Sequence, residues 1–143
     1  MTTILILGGT GRAGFQIAVQ LLKKGRFTIC LSGRKPEKCQ AQIDELKEQF
    51  PNGSIQSFTI EPNNANALAD AFTKCDMVVN CAPLDLDKSP LLGEAIRNRV
   101  HLVDIVPGTS KHEKYLAYQA EAREHHLSFI FDAGFNPGLL VSG

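Results

Sequence analysis

The chain has 143 residues, enough for one domain with a proper core, and 43% of them are apolar, which excludes a disordered segment. Fifteen basic residues cancel fifteen acidic ones, so the charge points to no nucleic-acid or membrane surface. No apolar run approaches the roughly 18 residues that span a bilayer, and the N-terminus enters a strand with no charged leader or cleavage site.

Ile4–Leu7 is a run of four apolar residues and predicts a buried strand. Gly8-Gly9-Thr10-Gly11-Arg12-Ala13-Gly14 follows, with Gly9, Gly11 and Gly14 in G-x-G-x-x-G spacing. Glycine turns occur everywhere, so the spacing alone is a weak signal. Between an apolar strand and an amphipathic helix it is a strong one. Gly9 is expected to turn the chain, Gly11 to let the backbone approach a pyrophosphate, and Gly14 to let the helix pack on the strand. The helix start, from Thr10 through Ala13, offers unpaired N–H groups and partial positive charge. Arg12 either reaches a phosphate or is an exposed side chain at a helix start.

The first helix runs from about Gly11 to Lys24, with Gly14, Ile17, Ala18, Leu21 and Leu22 inward and Gly25 as a left-handed cap. Phe27–Leu31 is the second strand, and Ser32-Gly33-Arg34-Lys35 leaves it. Pro36 opens a second helix that buries Cys39, Ile43, Leu46 and Phe50, and Pro51-Asn52-Gly53 stops it. A weaker third strand near Ile55–Ile60 has Ile55 out of phase with Phe58 and Ile60, as suits an edge. Asn63 or Asn64 caps a third helix carrying Leu68, Phe72 and Cys75. Met77–Val79 reads as a central parallel strand ending in Asn80-Cys81-Ala82-Pro83. Ser89 and Pro90 read as N-cap and first residue of a fourth helix with Leu91, Leu92, Ala95 and Ile96 inward. His101–Val106 is the fifth strand. Ser110 to Glu113 forms a capping box for one helix reaching about His125, and Leu127–Phe131 is the sixth strand.

Six strand–helix alternations predict an α/β fold: a doubly wound parallel sheet in order 3-2-1-4-5-6, helices on both faces, right-handed crossovers. Ligands bind such sheets outside the C-terminal strand ends, where the order reverses. That brings Gly9–Gly14, Ser32–Lys35, Asn80–Pro83 and Asp104–Val106 to one crevice.

A site for NAD places a carboxylate about 20 residues past the glycine turn. That count reaches Gly33 and Arg34, and no acid occurs from Phe27 to Pro36. Arg34 can fork onto a 2′-phosphate, with Lys35 adding charge and Ser32 a second donor, so NADP is expected over NAD. The competing account is a solvated basic pair at a strand end. Asn80, Cys81 and Ala82, with Pro83, are expected to line the adenosine or nicotinamide-ribose side. Cys81 reads as a wall residue rather than a nucleophile. Asp104 either orients a ligand amide or caps the next turn. The four cysteines (Cys30, Cys39, Cys75, Cys81) show no C-x-x-C pair and suit reduced thiols of a cytoplasmic protein. None of the four histidines has metal-ligand spacing, so no metal site is expected.

The combination of G-G-T-G-R-A-G at Gly8–Gly14, V-V-N-C-A-P at Val78–Pro83, V-D-I at Val103–Ile105 and D-A-G-F-N-P-G-L at Asp132–Leu139 resembles the saccharopine dehydrogenase/reductase-like family, in its N-terminal NAD(P)-binding domain. The resemblance implies a Rossmann domain over residues 1–132 and, in 133–143, the start of a connection to a separate catalytic and dimerisation domain. It implies NADP(H)-linked redox chemistry at a carbon–nitrogen or similar bond of an amino-acid-like small molecule, and a homodimer through the second domain. Asn136 and Pro137 then open a further helix, and Leu139, Leu140 and Val141 are exposed or seek a neighbouring chain. Residues 1–143 alone are expected to bind the dinucleotide weakly or not at all on its nicotinamide side and to show no turnover. The glycine turn also suits NmrA-like regulators, which leaves a non-enzymatic NADP(H)-sensing module as the alternative. Short-chain reductases pair Tyr with Lys four residues on. Tyr115 and Tyr118 have Gln119 and Ala122 there, so both read as packing residues, and no catalytic acid/base pair is visible.

Overall fold

The computed structural model describes residues 1–108 and 111–133. The elements run β1 (Thr2–Leu7), α1 (Arg12–Lys24), β2 (Phe27–Gly33), α2 (Pro36–Gln49), β3 (Ser54–Thr59), α3 (Ala65–Phe72), β4 (Met77–Asn80), α4 (Leu91–Arg97), β5 (His101–Asp104), α5 (Lys111–Ala117), α6 (Gln119–Glu124) and β6 (Phe129–Ile130). All six strands are parallel, in the order β3-β2-β1-β4-β5-β6 that the alternation predicts.

Alternate residues of β1 face opposite sides of the sheet, and both sides are covered. Ile4 and Ile6 pack with Ala18, Val19 and Leu22 of α1 and Ile43 and Leu46 of α2. Leu5 and Leu7 pack with Leu68 and Phe72 of α3 and Leu91, Leu92 and Ala95 of α4. Each such aliphatic side chain taken fully out of water contributes about 1.5–3 kcal/mol. That is why the strand reads as a continuous apolar run. The same two-sided burial explains Ile55. It joins Ile29 on the α1–α2 face, while Phe58 leans on the opposite cluster.

Local signals set most boundaries. Gly25 closes α1 in the left-handed conformation, and Asn64 caps α3 by accepting the Ala67 N–H at 3.1 Å. Several boundaries differ from expectation. β2 runs two residues further, to Gly33, because β3 pairs along its whole length. β5 stops at Asp104 and β6 keeps only two residues. Cys75 lies past the end of α3. α4 starts at Leu91 with Pro90 as its cap residue, although the Ser89 hydroxyl still accepts the Leu91 N–H. The single helix expected to reach His125 is two helices. Tyr118 donates its N–H to the Tyr115 carbonyl three residues back, which tightens that turn and ends α5. The Ser110 cap and the Asn136–Pro137 helix lie outside the described residues.

Candidate functional site

Three strand ends build the site. Leaving β1, Gly8 has φ of 70°, and a Cβ there would come within 2.9 Å of the Ala82 nitrogen. The tight turn thus falls on Gly8, one residue before the position the motif predicts. Gly9 instead lies against Leu31 and donates its N–H to the Ser32 carbonyl at 2.9 Å, tying the turn to β2. Gly14 lets α1 pack close on the turn that leaves β1: a Cβ there would sit 2.6 Å from Gly9 Cα and 2.7 Å from the Gly8 carbonyl oxygen. Gly11 caps α1 with no side-chain cap, and no acidic residue occupies the first turn. The N–H groups of Arg12, Ala13 and Gly14 therefore have neither an intrahelical acceptor nor a competing carboxylate.

Beside this turn lies a cavity of about 230 Å³. Gly8, Thr10 and Gly11 form one wall, Ser32, Gly33, Arg34 and Lys38 a second, Ile60 and Pro62 a third, and Cys81, Ala82 and Pro83 the fourth. Both cations among these residues come from the β2–α2 side, and no carboxylate is present. Lys35 is exposed and does not line the cavity; Lys38, in the first turn of α2, does. Ser32 lines the floor, but its hydroxyl donates to the Ile6 carbonyl at 2.9 Å. Its proton is spent inside the sheet, contrary to the phosphate-donor expectation. Arg12 and Ala13 are exposed at the helix start. Gln42 of α2 donates to the Thr10 carbonyl at 2.9 Å and so braces the turn from behind.

The β4–β5 side rests on a buried polar cluster. Asp104 has 0% exposure. Its Oδ2 accepts from Lys111 Nζ at 2.8 Å and from the Tyr115 hydroxyl at 2.8 Å. Its Oδ1 accepts from Asn80 Nδ2 at 3.2 Å and from the Val106 N–H at 3.0 Å. The last bond is a cap of the next turn, one of the two roles expected of Asp104. Asn80, also fully buried, stands behind the cavity wall rather than in it; its Oδ1 accepts the Ala82 N–H at 3.1 Å. Lys111 spends a second proton on the Val106 carbonyl at 2.7 Å.

Tyr115 is buried and stacks on Phe131 at 4.7 Å, as a packing residue should. Burial and the adjacent Asp104 carboxylate push its phenol above the ordinary range, opposite to what a proton-donating tyrosine needs. Burial, with a smaller contribution from Asp104, pushes the Cys81 thiol up to about 12, which fits a wall residue and not a nucleophile. Among the described residues no group of His, Cys, Asp and Glu is placed to hold a metal, and no helix is long and apolar enough to cross a membrane.

Sequence reasoning missed Lys38, Gln42 and Lys111. Lys111 precedes Tyr115 by four on α5, so helical spacing carried a signal for it, whereas Lys38 stands in the first turn of α2 and Arg34 lies before that helix. Nothing in the sequence linked Gln42 to Thr10.

A family model described as the saccharopine dehydrogenase NADP binding domain matches residues 4–130. Serine 3-dehydrogenase of Agrobacterium fabrum is 33% identical over 105 residues, which is 71% of this chain and 41% of that protein. The apo saccharopine dehydrogenase (L-Glu forming) of Saccharomyces cerevisiae superposes with a TM-score of 0.76 at 18% identity, over 96% of this chain and 28% of the yeast chain. Yeast methylglyoxal/isovaleraldehyde reductase Gre2, solved with NADPH, gives 0.70 at 16% identity, over 91% and 52% of the two chains. At such identities the structural likeness shows the fold. The chain spans about half or less of the curated relatives it matches, 41% and 50% of their lengths.

Proposed function

The chain belongs to the saccharopine dehydrogenase NADP-binding domain family, and on that premise we propose that it holds NADP(H) for an oxidoreductase acting on a carbon–nitrogen or similar bond of an amino-acid-like substrate. One observation carries the cofactor reading: Arg34 and Lys38 line the cavity beside the glycine turn, and no carboxylate does. A 2′-phosphate brings close to two negative charges and three acceptor oxygens, which suits two cations and repels an acid. The α1 N-terminus and the side-chain-free backbone at Gly11 take the pyrophosphate. Cys81, Ala82 and Pro83 close the other side. Bound there, the nicotinamide supplies the hydride chemistry, and the protein supplies position.

In this reading residues 1–132 are the dinucleotide domain, and 133–143 lead toward a second domain that brings substrate and forms a homodimer in the cytoplasm. The lengths of the relatives, of which this chain spans 41% and 50%, leave room for such a domain.

Titrating NADPH and NADH into the protein tests the reading. NADPH should bind at least about tenfold more tightly, since one hydrogen bond to a charged group is worth about 1.5–3 kcal/mol and 1.4 kcal/mol is tenfold. Equal or tighter NADH binding overturns it. With the full-length protein, NADPH oxidation by an imine or a keto-acid/amine pair is expected. Cofactor binding that alters affinity for a partner, without turnover on a broad panel, would instead favour an NADP(H)-sensing regulator.

A further inference from the structure

The Asp104 carboxylate does not line the groove. All its acceptor capacity is spent inside the protein, on Lys111 and Tyr115 at one oxygen and on Asn80 and Val106 at the other. Its effect travels through Asn80. A side-chain amide can sit either way round, and an acceptor-only carboxylate admits only the NH₂ end. With Nδ2 toward Asp104, Oδ1 faces the Ala82 N–H, and Nδ2 also donates to the Ala82 carbonyl at 3.1 Å. Ala82 is thus held at both of its backbone polar groups. Its nitrogen in turn lies 2.9 Å from where a Cβ on Gly8 would stand, so Ala82 backs directly onto the glycine turn, and both residues line the groove.

Resting on the dinucleotide reading above, we propose that Asp104 is a positioning residue for the cofactor: acting through the Asn80 amide, it fixes the Cys81–Pro83 wall that faces Arg34 across the glycine turn. The strand order gives the wall its share of the ligand. Arg34 leaves β2 on one side of β1, and Cys81–Pro83 leave β4 on the other. With the 2′-phosphate at Arg34, the β4 wall bears on the cofactor beyond the adenosine half.

The test is a double-mutant cycle on Asn80→Ala and Asp104→Asn. Affinities for NADPH and for 2′,5′-ADP are measured by calorimetry, beside a thermal melt. Each single variant should weaken NADPH about tenfold, the loss expected for one or two mispaired buried hydrogen bonds. Neither should weaken 2′,5′-ADP more than about twofold, and the double variant should be no worse than the weaker single. A merely structural role lowers the melting temperature and moves neither affinity, which overturns the proposal. Equal losses for the two ligands overturn it as well, and so do additive losses in the double variant. If Asp104→Asn does not fold, Tyr115→Phe takes its place in the cycle. It removes one of four donors, and about a threefold loss of NADPH with 2′,5′-ADP spared is expected. Wild-type protein that binds neither ligand defeats the dinucleotide reading itself and this proposal with it.

Discussion

On the β1 side of the groove the sequence removes side chains; on the β4–β5 side it buries charged ones. At Gly8 and Gly14 any Cβ would strike backbone, so that wall depends on atoms that are absent. Across the groove the wall depends on Asp104, Lys111, Tyr115 and Asn80, four polar side chains from three elements meeting out of water. The two solutions fail differently. Adding one carbon breaks the first. Removing one partner breaks the second, because the remaining charge is left buried.

Removing the Lys111 ammonium should have the largest effect. Lys111→Met leaves Asp104 a buried, uncompensated carboxylate, and losing one partner of such a pair costs about 3–5 kcal/mol. Urea unfolding measures it. Adding Asp104→Asn should recover part of the loss, because no net charge then remains buried. A loss under about 1 kcal/mol, as for a surface pair, would show that the cluster does not hold this wall.

Gly14→Ala tests the opposite wall and should cost less. Its Cβ must displace Gly9 Cα at 2.6 Å or the Gly8 carbonyl at 2.7 Å, both backbone. Overpacking of this kind costs about 1–3 kcal/mol. Because the displaced atoms belong to the turn, NADPH binding should weaken along with stability. A variant as stable as wild type with unchanged NADPH affinity would mean that the turn yields freely.

The difference between the walls also explains what could be read in advance. The glycine turn, the strand order and Arg34 are local signals: a spacing, an apolar run, an absent carboxylate. The turn is marked within a few residues, and the strand order follows from the strand–helix alternation repeated along the chain. The Asp104 cluster joins residues up to 35 positions apart, Asn80 to Tyr115, and no short pattern marks it. Lys111 reads in the sequence only as part of the Ser110–Glu113 capping box, because its partner, Asp104, lies on the preceding strand. The left-handed turn falls on Gly8 where the motif assigns it to Gly9, and the neighbour a Cβ there would strike, Ala82, is distant in sequence. The helix division at Tyr118 has the same character. No proline or glycine stands there, and the hydrogen bond that ends α5 appears only in three dimensions.

A smaller effect separates the charges on the rim of the groove. Arg34→Ala should weaken NADPH about tenfold and leave NADH within about twofold. Lys38→Ala should act in the same direction by less, because a lysine meets a phosphate as a point charge and not as a fork. Lys35→Ala, outside the cavity, should change neither. Arg34 is exposed, so the preference should shrink as salt rises. Equal losses for both cofactors on Arg34→Ala would show that it does not read the 2′-phosphate.

The smallest effect is chemical and leaves the fold untouched. Cys81 stands in the cavity wall, and its thiol is pushed up to about 12 from an ordinary value near 9. A raised value means that less thiolate is present at any pH below it. At pH 8 the reactive fraction should be about one in ten thousand, against about one in ten for an unfolded control. Site-resolved alkylation with iodoacetamide should therefore climb about tenfold per pH unit from pH 7 to 10 without levelling. The unfolded chain should level above about pH 9. Cys75, pushed up to about 12 by its own burial, precedes β4 at the other end of that strand and serves as the internal control. Saturating NADPH should slow labelling of Cys81 and leave Cys75 unchanged, because only Cys81 lines the groove. A plateau below pH 9 at Cys81 in the folded protein would mark an activated thiol and reverse its assignment as a wall residue. Equal protection of both cysteines would place the cofactor's effect on the whole domain and not on this wall.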